Sequence, residues 1–174
     1  DVGRRCRNVT APELQARTGK QVAVSGGGAG CLAAAWQRRL LGHGVTVYEA
    51  DGEIGGKLRQ VIPSDRLPAD SLESEIQRIK DVGIAIKNNT KVDTDLFATI
   101  QKDHDAVVIA SGAHNAVVIP FPGHELMTKG LDFLKDVNAG KKPKVGKRVI
   151  VIGAGNAGMD VCLGPYALGA EPVL

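Results

Sequence analysis

Two glycine-rich stretches have the residue types and spacing with which a chain can hold a phosphorylated ligand. They are "VAVSGGGAGCLAAAW" at residues 22–36 and "VIVIGAGNAGMDVCL" at residues 149–163. Each runs from a short apolar segment into a stretch of helix formers. In a GxGxxG turn between a strand and a helix, the first glycine permits the tight turn and the second lets backbone N–H groups approach a pyrophosphate. The third allows the helix to pack close to the strand. The helix N-terminus adds partial positive charge and unpaired donors facing the anion.

The first stretch can be read in two registers. Gly26, Gly28 and Cys31 form one; sliding back by a residue recovers Gly30 but places Ser25 first. A downstream acid decides, because such a site needs a carboxylate at the end of the second strand, about 20 residues on, to accept hydrogen bonds from ribose hydroxyls. Glu49 ends "VTVYE", 23 positions after Gly26. Cys31 therefore takes the packing position, where a small side chain is expected to be strained but tolerated, with slightly looser helix packing. The second stretch satisfies the pattern fully with Gly153, Gly155 and Gly158. Laying Gly153 on Gly26 puts Gly155 on Gly28, Gly169 on Gly42 and Val173 on Thr46 without a gap. The same count of 23 reaches position 176, beyond Leu174, so the chain is expected to stop inside its second unit, before the side chain that would choose between NAD and NADP. Either turn alone could be an ordinary strand-to-helix turn; two copies in matching contexts favour dinucleotide binding.

The elements that would position these turns follow from periodicity. Val22–Val24 predicts a strand, residues 29–41 a helix and Val45–Tyr48 a second strand, an order that favours a parallel sheet flanked by helices. The fold class is α/β and Rossmann-like, incomplete at the C-terminus. Asp70 and Glu73 suggest a capping box opening a helix marked by Leu72, Ile76 and Ile79 and stopped at Gly83. A strand is expected at Ile84–Lys87, and another at Ala106–Ala110, whose continuous apolar run predicts burial on both faces. Pro120, Pro122 and Gly123 mark a boundary, and "GLDFLKDVNAG" reads as a helix. Gly164 and Pro165 fall inside the helix expected after the second turn, where an interior proline costs about 3 kcal/mol, so a kink or restart is expected there. The organisation expected is a lead-in at 1–19, a first domain at 20–118, a connection at 119–146 and the start of a second domain at 147–174.

Composition narrows the function classes. The chain has 174 residues, is 43% hydrophobic and 24% charged, and carries a net charge of +3, which suits one or two globular domains. No apolar run is long enough to span a bilayer and no signal-peptide pattern opens the chain, so a cytoplasmic protein without membrane insertion is expected. Lys141, Lys142, Lys144, Lys147 and Arg148 cluster in a Gly/Pro-bearing connection without interleaved aromatics, which suits a solvated linker and not a nucleic-acid site. Cys6, Cys31 and Cys162 are far apart, form no CxxC and predict no metal centre. His43, His104, His114 and His124 have no Ser or Asp partner arrangement, and no catalytic side chain is assigned.

Between the two turns lie "EADGEIGGKLRQVIPSDRLP", "DAVVIASGA", "PFPGHE" and "DFLKDVN", followed by "GKRVIVIGAGNAGMD". In that order they resemble the glutamate synthase small subunit and the flavin region of dihydropyrimidine dehydrogenase, from about Lys20 to the end. The resemblance is to FAD- and NAD(P)-dependent oxidoreductases with a pyridine nucleotide-disulfide oxidoreductase-like fold. It implies that Gly26, Gly28, Ala29, Gly30 and Cys31 hold the FAD pyrophosphate and that Glu49 binds its adenosine ribose. It implies that Gly56, Lys57 and Leu58 line the flavin, that Arg66 contacts FAD and that Val92 packs by the adenine. Ala110, Ser111 and Gly112 would form the crossing between the two domains. Gly153, Gly155, Asn156, Ala157 and Gly158 would receive the pyrophosphate of NAD or NADP. Asp160 is read as a helix-surface or packing residue. "GGKLRQVIP" lacks the cysteine pair of disulfide reductases, so the implied electron acceptor is an iron–sulfur subunit or domain. The Gly-Asp segment with which the family completes its FAD site is absent, and the alternative is a non-catalytic dinucleotide-binding or assembly module.

Overall fold

A computed structural model describes residues 12–171 and divides the chain into two compact units. The first consists of the residues up to Leu58 together with Pro68–Gly112; the second consists of Arg59–Leu67 and the residues from Ala113 onward. No helix among the described residues is long and apolar enough to cross a membrane.

The first unit is built on four parallel strands, β1 (Gln21–Ser25), β2 (Gly44–Tyr48), β3 (Ala85–Lys87) and β4 (Ala106–Ile109), in the order β3-β2-β1-β4. β1 is central and pairs in register with both neighbours, Val22 opposite Val45 on one side and Ala106 on the other. Having a neighbour on each edge satisfies its backbone, which is why the β-branched "VAV" can sit fully inside: Val22, Ala23 and Val24 are all buried. Helix α1 (Ala29–Leu40) follows β1. Its Cys31 and Ala35 join Val22, Val24, Val45, Val47, Val82 and Ile84 in one core layer. The opposite face of the sheet is closed by Ala23, Tyr48 and Ile100, the last from helix α4 (Thr94–Asp103). Among the described residues, 12–19 have no regular structure, and Gln15 and Thr18 donate backbone hydrogen bonds to Leu40 and Gly42 beside the end of α1.

Two local expectations change. The short helix α2 (Lys57–Gln60) is followed by α3 (Ala69–Asp81), which begins with Pro68 as its N-cap, so Asp70 lies inside the first turn and no capping box forms. The Asp70 carboxylate instead accepts from the adjacent Ser71 N–H at 2.9 Å, while its charge still suits the helix N-terminus. The side-chain cap appears one helix later, where Asp93 Oδ1 accepts from Leu96 N–H at 2.9 Å and opens α4. β4, expected to be buried on both faces, is an edge strand, and Ile109 at its end is 65% exposed.

In the second unit, helix α5 (Gly130–Asn138) buries Phe133 and Leu134, and helix α6 (Asn156–Ala167) follows the second glycine turn. α6 runs through Pro165 without a break, against the expected restart. The proline stands in the last turn, so its missing N–H removes a single bond near the helix end, and Leu168 N–H donates to the carbonyls of Gly164 and Pro165. The strand expected before Gly153 is reduced to a bridge at Val149. Among the described residues of this unit no strand flanks it on either side, and Ile150 and Ile152 stay exposed. An isolated apolar run cannot become a strand without ladder partners.

Candidate dinucleotide-binding site

The first glycine turn is held from three sides. Gly26 leaves β1 with φ of +111°, a conformation that favours glycine, and its N–H donates to Tyr48 O at 2.8 Å. Gly28 is the N-cap of α1 in extended backbone, and no side chain caps this helix. The N–H groups of the first helical turn therefore lack a side-chain acceptor. A Cβ on Gly28 would meet nothing within 4 Å, so the turn is open on the side where an anion would approach. Ala29 and Gly30 beside it are exposed.

Cys31 is better accommodated than expected. It is fully buried, and Sγ lies 3.0 Å from Ala110 O and 3.4 Å from Ser25 O, tying the start of α1 to the ends of β4 and β1. No loosening of the helix is seen. The compensation lies at Gly26, where a Cβ would come within 2.8 Å of that sulfur. Burial pushes the Cys31 thiol above its ordinary value, with a smaller push from the Glu49 charge.

Glu49 is at the end of β2 as expected, and it is buried. Its Oε2 accepts from Gly27 N–H at 2.5 Å and its Oε1 from Asp51 N–H at 2.9 Å. Each carboxylate oxygen has two lone pairs, so both can still accept a ribose hydroxyl. Gly27 was not among the expected site residues. Its signal was the third consecutive glycine in "SGGGAG": a Cβ there would lie 2.5 Å from Glu49 Oε2 and 2.9 Å from Ile54 Cγ2.

The segment after β2 returns to the turn. Gly55 N–H donates to Gly27 O at 2.8 Å, and a Cβ on Gly56 would stand 3.0 Å from Gly28 Cα. Leu58 N–H donates to Gly55 O, while Lys57 is exposed. Val92 packs against Ala23, Tyr48 and Ile100. Ala110 O receives the Cys31 thiol, a Cβ on Gly26 would lie 3.3 Å from Ser111 Cα, and Gly112 has φ of +85°. The first unit thus gathers Gly26, Gly28, Ala29, Gly30, Cys31, Glu49, Gly56, Ala110 and Ser111 around one turn. These residues fit a dinucleotide: an open, uncapped helix start with an acid at the end of the neighbouring strand.

Arg66 belongs to the second unit. Its Nη1 donates to Asp160 Oδ1 at 2.5 Å, and Asp160 proves to be a buried carboxylate of α6 rather than a surface residue. Asn138 Nδ2 holds the same segment by a 2.8 Å bond to Ile62 O. In the second turn Gly153 has φ of +126° and Gly155 is the N-cap with φ −78° and ψ 177°, nearly the values of Gly28, −78° and −178°. Asn156 and Ala157 are exposed, and a Cβ on Gly158 would collide with the Gly153 carbonyl. Here the packing glycine is obligatory. Among the described residues no group of acids, histidines and cysteines could hold a metal ion, and Cys31 and Cys162 are free thiols. Cys6 lies outside the described residues.

Residues 20–174 match the profile of pyridine nucleotide-disulphide oxidoreductases. The chain belongs to that family. It is 40% identical over 162 residues to the NADP(+)-dependent formate dehydrogenase subunit beta of Moorella thermoacetica, covering 90% of this chain and 23% of that protein. It is 36% identical over 163 residues to the glutamate synthase [NADPH] small chain of Mycobacterium tuberculosis, covering 84% of this chain and 33% of that protein. The solved structure of Mycobacterium tuberculosis FprA in complex with NADPH superposes with a TM-score of 0.71 at 23% identity, over 83% of this chain and 36% of that one, which shows the shared fold. The chain spans about a quarter of the length of the first of these two relatives and a third of the second.

Proposed function

We propose that this chain forms the FAD-binding part and the beginning of the NAD(P)-binding part of an NAD(P)H-dependent flavin oxidoreductase that delivers electrons to an iron–sulfur or other acceptor centre. The observation that carries this reading is the pair of glycine turns with matching backbone, the first of them joined to the buried Glu49. The relatives named for NADP(+) and NADPH support the nicotinamide half. The names subunit beta and small chain support assembly with a partner chain. The cytoplasm is the proposed compartment.

Gly28, Ala29, Gly30 and Cys31 would present the N-terminal amides of α1 to the FAD pyrophosphate, and Glu49 would accept the ribose hydroxyls. Gly56, Lys57 and Leu58 would border the flavin and Val92 the adenine. Ala110, Ser111 and Gly112 would line the passage out of the first unit. Gly153, Gly155, Asn156, Ala157 and Gly158 would receive the nicotinamide dinucleotide. When bound, the flavin supplies two-electron exchange with the nicotinamide and release of electrons onward. The chain's residues supply binding and orientation.

Equilibrium dialysis of the purified chain against FAD, read by visible absorption, tests this. Uptake of about one FAD per chain is expected, together with loss of uptake in Gly28→Val. A chain that stays colourless in excess FAD would sink the flavin reading and favour a non-catalytic module.

A further inference from the structure

We infer that Glu49 is a positioning residue for the phosphate-binding turn itself, in addition to its proposed role at the ribose, so that one carboxylate couples the two ends of the adenosine diphosphate site. The inference rests on the flavin reading for its ligand and on the ligand-free geometry for its mechanism.

Gly27 lies between the glycine that makes the turn and the glycine that caps α1. Both of its backbone groups are taken: the N–H by Glu49 Oε2 at 2.5 Å, the carbonyl by Gly55 N–H at 2.8 Å. With Gly27 pinned at both ends, the direction of the chain entering Gly28 is set before any ligand arrives. Glu49 is itself well anchored. Its N–H donates to Lys87 O at 2.9 Å, its carbonyl accepts from Thr90 N–H at 2.7 Å, and its second carboxylate oxygen accepts from Asp51 N–H. The acid is buried, so its hydrogen bond to Gly27 is charge-assisted and little weakened by water. The sequence makes room for this contact. A side chain at position 27 would strike the carboxylate and Ile54, whereas the same position of the second turn holds Ala154, which is exposed. In the first turn the clamp is built from the extra glycine and the acid together.

The test separates the turn from the ribose. Amide exchange at Gly27 in the ligand-free chain should quicken roughly 10-fold in Glu49→Gln, whose one neutral carboxamide oxygen must serve the two amides that the two carboxylate oxygens serve now. Glu49→Gln should also weaken binding of FAD and of an FAD analogue lacking both adenosine ribose hydroxyls, and Gly27→Ala, which keeps the acid but blocks its approach, should weaken both as well. If Glu49 serves the ribose alone, Glu49→Gln will lower affinity for FAD while leaving the analogue and the Gly27 exchange rate unchanged, and the inference is overturned. Should Glu49→Gln not fold, Gly27→Ala decides: wild-type affinity for the analogue overturns the clamp. A wild-type chain that takes up neither compound fails the flavin reading, and the exchange rate at Gly27 still decides whether Glu49 holds the turn.

Discussion

Replacing Cys31 distinguishes a tolerated intruder from a working part of the turn. Cys31→Ala removes a sulfur that is fully buried and that lies within bonding distance of two carbonyls, Ala110 O at 3.0 Å and Ser25 O at 3.4 Å. Losing one methylene-sized group from the core costs about 0.8 kcal/mol, and losing its hydrogen bonding adds about 0.5–1.5 kcal/mol. The sum, about 1–2.5 kcal/mol, corresponds to a fall in Tm of about 2–10 °C for a chain of this size. Cys31→Ser keeps a donor for one carbonyl and should recover about half of the loss. Cys31→Gly, although it restores the glycine usual at this position, should be the least stable of the three, because a helical glycine costs about 0.5–1 kcal/mol more than alanine. Thermal unfolding followed by circular dichroism reads the order directly. If Cys31→Gly proves as stable as the wild type or more so, the thiol is strained in place and the description of a packed, bonded Cys31 is wrong.

Three further outcomes follow from the same geometry. Burial raises the Cys31 thiol, so the folded chain keeps this proton to higher pH than the unfolded chain; stability should be intact below the ordinary value of 9.0 and fall as pH rises through it. Urea midpoints measured between neutral and alkaline pH should show this decline in the wild type and less of it in Cys31→Ser. Arg66→Gln leaves the Asp160 carboxylate buried without its charged partner and should destabilise by about 1–3 kcal/mol, discounted because the Arg66 side chain is 47% exposed. Adding Asp160→Asn should restore much of that loss, which chemical denaturation of the single and double variants would show. Asp93→Ala removes the cap on Leu96 N–H and should cost about 1 kcal/mol, read as a lower denaturation midpoint.

The parts of the fold legible in the sequence are those where a local pattern and its packing agree. The "VAVS" strand, the turn at Gly26 and Gly28, the helix after it and "VTVYE" could all be read because a central parallel strand is apolar throughout and each glycine has a steric reason. Glu49 followed from chain lengths alone. Partners distant in sequence were less legible. Whether Ala106–Ala110 would be central or at an edge depends on what pairs beyond β4, and nothing within the segment encodes that. The failure of 149–152 to become a strand has the same origin, since an apolar run needs at least one strand beside it to pair with, and none stands there among the described residues. Whether Asp160 would be a surface or a packing residue stayed open because its partner, Arg66, is 94 positions away. The short segment bearing Arg66 also packs with the second unit while its flanks belong to the first, which no periodicity signals. The role of Gly27 was hidden because the repeat formula leaves that position open.

The proposed function requires that the first turn receive a pyrophosphate. The most direct measurement is a crystal structure of the chain soaked with FAD. Density for the pyrophosphate is expected against the amides of Gly28 to Cys31, with the adenosine ribose within hydrogen-bonding distance of Glu49. A dinucleotide bound elsewhere on the chain, with this turn empty, would contradict it.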